Sequence, residues 1–119
     1  MFATILPVAL GGAVGASARF LIGLAVPFPF GTLTVNILGS FLMGVAFVLF
    51  ADKGLDRWAL MVTTGVLGGF TTFSTFSLDV LRLYEAGRVS VAGGYVLVSV
   101  VLSLVAIFVA VALMRGVQG

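Results

Sequence analysis

The sequence predicts an all-α integral membrane protein with four transmembrane helices, the third of them broken. Of its 119 residues, 61% are hydrophobic and only 8% are charged, and the mean hydropathy is +1.32. Because so little polar surface cannot cover a globule in water, lipid must be the solvent for most of the chain. A spanning helix needs about 20 mainly apolar residues, so this length allows four spans and no soluble domain.

Uninterrupted apolar runs place the four spans. They predict helices at about 2–26, 32–50, 58–84 and 89–114. Pro27 and Pro29 end the first span, because proline cannot continue a helix. A charged connector at 51–57 precedes Trp58, which stands where an interfacial anchor belongs. The prediction is one four-helix domain that crosses a cytoplasmic-type membrane several times, since barrel strands would show short alternating segments instead.

Several classes of protein are excluded by composition. The chain has no Cys and no His, so it lacks disulfides, thiolate chemistry and the usual transition-metal ligands. Six basic residues against four acidic ones give a formal charge of +2, which is too sparse for a nucleic-acid surface. The small basic excess is therefore interpreted as juxtamembrane.

The positive charges near the span ends do not fix an orientation. One side of the membrane receives Lys53, Arg57 and Arg115, and the other receives Arg82, Arg88 and Arg19. Because such charges set topology, an even balance allows insertion in both directions. It would permit an antiparallel homodimer with its two-fold axis in the membrane plane. The alternative is a single topology fixed by a partner or by lipid.

The third apolar region carries a cluster of weak helix formers. Glycines at 65, 68 and 69 are followed by hydroxyl residues at 71, 72, 74 and 75, which compete for backbone hydrogen bonds. Non-helical backbone at membrane depth persists only where it is buried in protein or lines a cavity, so a break here would imply a site. Freed carbonyl oxygens suit a hard cation such as Na⁺, and freed amides suit an anion. The alternative is a merely kinked helix whose hydroxyls bond back to carbonyls.

The spacing of several residues along the predicted helices places them on shared helix faces. Phe73 and Phe76 share a face if the helix resumes after the break, and their positive ring edges could face a small anion, although from spacing alone lipid-facing or core phenylalanines are the better explanation. Tyr95, Ser99 and Ser103 follow one another at every fourth position and form a polar stripe on the fourth span. Glycine pairs at 11 and 15 and at 65 and 69 predict close helix packing.

Isolated polar residues in the spans have alternative roles. Arg19 lies about two-thirds along the first span, where an ionisable group is costly enough to indicate function, unless it snorkels to the interface. Asn36 could join two helices by hydrogen bonds. Four charged residues are expected to form a solvated end of the third span: Asp79, Arg82, Glu85 and Arg88.

Three segments, 11–19, 31–41 and 68–76, resemble the signature segments of the Fluc (CrcB-type) fluoride channel family. The resemblance covers essentially the whole chain. It implies a fluoride-selective channel rather than an enzyme, which exports fluoride passively across the cell inner (plasma) membrane. It also implies a dual-topology homodimer with two antiparallel pores, so that the partners are a second copy, fluoride and the lipid bilayer, without nucleic acid.

The resemblance further implies roles for particular residues. A structural Na⁺ at the dimer axis would be held by the backbone carbonyls of Gly68 and Thr71. The residues that would line the fluoride path are Asn36, Phe73, Ser74, Thr75, Phe76, Tyr95, Ser99 and Ser103. Arg19 would raise the electrostatic potential of an aqueous vestibule. Two positions depart from the family pattern: Asp79 stands where Glu is usual, and Ile107 suggests that the polar stripe ends after Ser103.

Two other functions remain open at this point. A dual-topology proton-coupled exporter of small molecules would have a similar size, but it needs a membrane-embedded carboxylate, and the first two spans contain none. A small assembly subunit would have no transport activity of its own.

Overall fold

The computed structural model describes residues 2–51 and 56–118, and the regular structure in them is entirely helical, without strands. The first two helices are α1 (Phe2–Ala25) and α2 (Phe30–Leu49), and the last is α6 (Val89–Gln118). Between them lie α3 (Arg57–Leu60), a π-helical segment (Met61–Leu67), α4 (Gly68–Phe70) and α5 (Ser74–Glu85). Within these described residues, four helical stretches are long and apolar enough to cross a membrane, the third being Arg57–Glu85. The prediction of an all-helical, four-span chain is thereby confirmed.

The ends of the helices follow from local hydrogen bonds. The amide of Phe30 donates to the carbonyl of Pro27 at 2.8 Å, so α2 begins two residues before the predicted start. At the start of α3, the Asp56 carboxylate accepts the amides of Trp58 (3.1 Å) and Ala59 (2.8 Å), as a helix N-cap does. The rest of the predicted charged connector, 52–55 with Lys53, lies outside the described residues.

The α5–α6 turn and the end of α6 also have local causes. Gly87 adopts φ +79°, and the amides of Gly87 and Arg88 bond back to Tyr84 and Leu83, a Schellman arrangement that needs a left-handed residue. α6 continues to Gln118, beyond the predicted end at 114, because a helix that leaves the apolar run can extend until a proline or a left-handed residue stops it.

Two close helix contacts organise the bundle. α1 lies against the π-helical segment and α4: a methyl group on Gly11 would stand 2.5 Å from the Met61 carbonyl, and one on Gly65 would stand 2.8 Å from the Val8 carbonyl. α2 lies against α6, where a methyl group on Gly44 would stand 2.7 Å from the Ile107 carbonyl. Small residues let backbones approach in this way where no hydrophobic effect drives helices together. The first half of the broken span is therefore packed on α1, and its second half, α5, contacts α6.

Candidate functional site

The third span is broken between α4 and α5. Helical structure stops at Phe70 and resumes at Ser74, and Thr71 is extended with φ −85° and ψ 157°. The break falls within the glycine and hydroxyl cluster that the sequence singles out. In lipid each unsatisfied amide costs several kcal/mol, so the polar groups of these residues need partners.

The side chain of Asn36 supplies the first of these partners. From α2 its Nδ2 donates to the Thr72 carbonyl at 2.9 Å, and its Oδ1 accepts the Thr72 amide at 2.8 Å. One side-chain amide thus pairs with both polar groups of one residue, as a neighbouring strand would. A primary amide has two N–H groups, so the second remains available to the space beside it.

The hydroxyl of Thr72 supplies the second partner. Its Oγ1 accepts the amide of Thr75 at 3.1 Å, as an N-cap side chain does, and lies 3.3 Å from the Ser74 Oγ. In a continuous helix, the Thr72 amide would donate to Gly68 and the Thr75 amide to Thr71. Both donors are diverted, so the carbonyls of Gly68 and Thr71 lose their helical partners.

Arg19 supplies the third partner. Its Nε donates to the carbonyl of Gly69 at 3.1 Å, and the side chain is partly buried. The guanidinium is therefore directed at the broken span rather than along the helix toward an interface.

A cavity of about 320 Å³ lies beside the break, between α2, α5 and α6. It is lined by Asn36, Gly39, Ser40, Met43, Thr71, Thr72, Phe73, Phe76, Ser99, Val100, Ser103 and Ile107. Five of the residues predicted for a fluoride path therefore meet at one cavity: Asn36, Phe73, Phe76, Ser99 and Ser103. Ser40 was missed by the sequence analysis, although it follows Asn36 by four residues and so shares its helix face.

Ser99 carries the most informative polar atom of the cavity. The residue is 4% exposed, and within residues 2–51 and 56–118 its Oγ makes no hydrogen bond of good geometry, although the Tyr95 hydroxyl lies beside it. Leaving a buried hydroxyl unpaired costs about 1–3 kcal/mol. A buried hydroxyl on the wall of a cavity is therefore available as a donor to a molecule or ion in the cavity.

Three aromatic rings follow one another along the break. The ring centroids of Phe73 and Phe76 are 5.4 Å apart at 56°, and those of Phe76 and Tyr95 are 5.4 Å apart at 36°. Phe76 is 8% exposed, whereas Phe73 is 77% exposed in the single chain. Phe73 and Phe76 also line the cavity, and an aromatic ring carries the positive end of its quadrupole at its edge.

Other predicted path residues lie outside the cavity lining. The Tyr95 hydroxyl donates to Asp79 Oδ2 at 3.1 Å, so its proton is engaged, and Ser74 and Thr75 contact Thr72 instead. The expected placement of Asp79 in a solvated span end is wrong, because the residue is only 3% exposed. The fourth span carries Tyr95 to it and so buries the carboxylate, whereas Arg82, Glu85 and Arg88 are exposed as expected.

A cavity with polar side chains on its wall, beside a broken helix inside an apolar bundle, is typical of membrane proteins that bind or pass small solutes. The chain belongs to the family described as "CrcB-like protein, Camphor Resistance (CrcB)", whose model matches residues 6–111. Together with the four spans, this identifies a multi-pass protein of the cell membrane.

Relatives in several bacteria support the same assignment. The chain is 51% identical over 122 residues to a protein of Cereibacter sphaeroides named "Fluoride-specific ion channel FluC", with 98% of each chain covered. Proteins with the same name from Ruegeria sp. (strain TM1040) and Paracoccus denitrificans are 51% and 50% identical, with 98% and 95% of each chain covered. The family is one of transporters, so the chain is not an enzyme.

Proposed function

We propose that the chain is a fluoride-selective channel through which fluoride leaves the cell passively. The observation that carries this proposal is the group of polar and aromatic residues that meet at one cavity beside the break, among them Asn36, Ser99 and Phe76. The name that the relatives share points to the same ion.

The chemistry of the cavity suits a small, strongly hydrated anion. Passing such an ion requires donors that replace its water step by step. The second N–H of Asn36 and the hydroxyls of Ser40, Ser99 and Ser103 offer such donors, and ring edges offer a positive surface. Beyond Ser103, Ile107 supplies only apolar contact. No bond is made or broken in the anion's passage, so the residues act by solvation alone.

The assembly proposed is an antiparallel dual-topology homodimer. In a single chain Phe73 is 77% exposed, which leaves one of the proposed path residues without a covering surface. A second copy against this side would enclose the ring and close the cavity. The even distribution of basic residues over the two sides of the membrane supports the antiparallel arrangement.

A structural Na⁺ at the dimer axis is the proposed cofactor, held by the carbonyls of Gly68 and Thr71 from each copy. The residues fit this ion, because the helical donors of these two carbonyls are diverted to Asn36 and to the Thr72 hydroxyl. Carbonyl oxygens are ligands that hard cations accept. When bound, the ion would supply positive charge that attracts the carbonyl oxygens of both copies and so holds the two broken spans together.

The alternative, a proton-coupled exporter, needs a carboxylate that meets its substrate. The buried Asp79 belongs to α5 but does not line the cavity, and its Oδ2 accepts the Tyr95 hydroxyl. The arrangement therefore favours the channel.

Fluoride efflux from liposomes tests the proposal. Vesicles loaded with KF and containing the purified protein should release fluoride when valinomycin carries the balancing K⁺. Release no faster than from protein-free vesicles would contradict the channel.

A further inference from the structure

The face of α1 that carries Arg19 is fixed by glycine contacts. Gly11, Gly15 and Arg19 follow at every fourth position, so they share one helix face. A methyl group on Gly15 would stand 2.8 Å from the Phe70 amide nitrogen, and one on Gly69 would stand 2.6 Å from the Gly12 carbonyl. Because the backbones meet so closely, α1 cannot rotate, and Arg19 must meet the broken span.

Arg19 contacts the carbonyl of Gly69. In the sequence this residue lies between Gly68 and Thr71, whose carbonyls are proposed to hold Na⁺. In a continuous helix the Gly69 carbonyl would accept the amide of Phe73, but the break removes that arrangement. The Nε–H of Arg19 takes this place at 3.1 Å. The carbonyls of Gly68 and Thr71 on either side receive no such donor from Arg19.

We propose that Arg19 is a positioning residue, which fixes the backbone of the break through its Nε–H bond to Gly69 rather than by attracting anions with its charge. The inference rests on the proposed channel function, because its effect is measured as fluoride flux. It differs from the vestibule role that the family resemblance implies. In that role only the positive charge matters.

Two substitutions separate the hydrogen bond from the charge. In Arg19→Gln, the side-chain Nε2 stands at the same distance from the backbone as the arginine Nε, so an N–H group is kept and the charge is lost. In Arg19→Lys, a methylene stands at that place and the ammonium lies one bond further out, so the charge is kept and the N–H at the position of Nε is lost.

The experiment compares fluoride efflux from liposomes that contain the wild-type protein, R19Q or R19K, over a range of Na⁺ concentrations. We expect R19Q to stay within about threefold of the wild-type rate and R19K to fall at least tenfold, as expected for the loss of a hydrogen bond from a charged donor. R19K should also need more Na⁺ for half-maximal efflux, a shift that a purely structural role would not produce. Arg82→Lys, at an exposed residue of α5, is the matched control and should leave both values unchanged.

The possible results distinguish the positioning role from a charge effect and from failure of the proposed function. R19Q at or below the rate of R19K would overturn the positioning role and assign the effect to charge. If R19K does not fold, wild-type efflux from R19Q still supports the role, and reduced efflux from R19Q overturns it. Absence of efflux from the wild-type protein would instead contradict the proposed function.

Discussion

At the scale of single residues, side chains at the break replace bonds that the helix backbone makes elsewhere. Asn36 pairs with both polar groups of Thr72, the Thr72 hydroxyl caps Thr75, and Arg19 takes the Gly69 carbonyl. The break is stable in lipid because these groups are paired. In the part of the chain that the structure describes, the Ser99 hydroxyl makes no comparable bond to the break, and its place on the cavity wall makes it a candidate ion ligand.

Ser99→Ala should therefore separate transport from stability. We expect fluoride efflux to fall about tenfold or more, because a hydrogen bond to an ion contributes about 1.5–3 kcal/mol and 1.4 kcal/mol is a factor of ten. The unfolding temperature in detergent should change little, since within the described residues the Ser99 hydroxyl makes no hydrogen bond of good geometry that would be lost. Both quantities are measured on the purified variant.

The control is Ser17→Ala, which removes an exposed hydroxyl that bonds the Ala13 carbonyl on α1. It should leave efflux unchanged. If Ser99→Ala transports fluoride at the wild-type rate, the cavity is not the path.

At the scale of helices, α1 is the element that holds the first half of the broken span. Its glycines at 11 and 15 pack on backbone atoms of the π-helical segment and α4, and not on side chains. Backbone atoms cannot move aside as a flexible side chain can, so the contact has little tolerance.

Gly15→Ala should destabilise this contact. The added methyl group would overlap the Val66 carbonyl and approach the Phe70 nitrogen, and overpacking of this kind typically costs about 1–3 kcal/mol. We expect a lower unfolding temperature in detergent and reduced fluoride efflux. Gly23→Ala on the same helix, where a methyl group meets nothing within 4 Å, should leave the unfolding temperature unchanged or raise it. Equal unfolding temperatures for the two variants would show that the contact does not restrain α1.

Some of these elements can be predicted from the sequence, and others cannot. Apolar runs and prolines are local signals, so the four spans and the α1–α2 turn can be placed from them. The glycine and hydroxyl cluster likewise indicates the break. The π-helical segment (Met61–Leu67) has no such local signal, because the register of the contact with α1 is a tertiary property. The burial of Asp79 is missed for the same reason, since only the packing of α6 brings Tyr95 to it.

At the scale of the whole molecule, the exterior is apolar almost everywhere. Large side chains such as Phe2, Phe20 and Phe108 are 84%, 64% and 73% exposed, which suits lipid or a second copy and not water.

Asn36, Ser99 and Ser103 can be selected as site residues from their spacing and from the family resemblance. The hydrogen bonds that distinguish Asn36 from Ser99 cannot be predicted in this way, because they depend on three-dimensional contacts.

Dual topology can be measured directly because the chain has no native cysteine. Ala86→Cys places one thiol in the exposed α5–α6 turn. A membrane-impermeant thiol reagent applied to intact cells should label about half of the copies if both orientations are inserted. Labelling of nearly all or nearly none of them would contradict the antiparallel dimer.

The most direct test of the account is the ion selectivity of the wild-type protein. Matched liposomes are loaded with KF or KCl, valinomycin is added, and fluoride-selective and chloride-selective electrodes record efflux. We predict rapid fluoride release with chloride release at the level of protein-free vesicles. Chloride efflux equal to fluoride efflux, or no fluoride efflux, would show that this cavity does not select and pass fluoride.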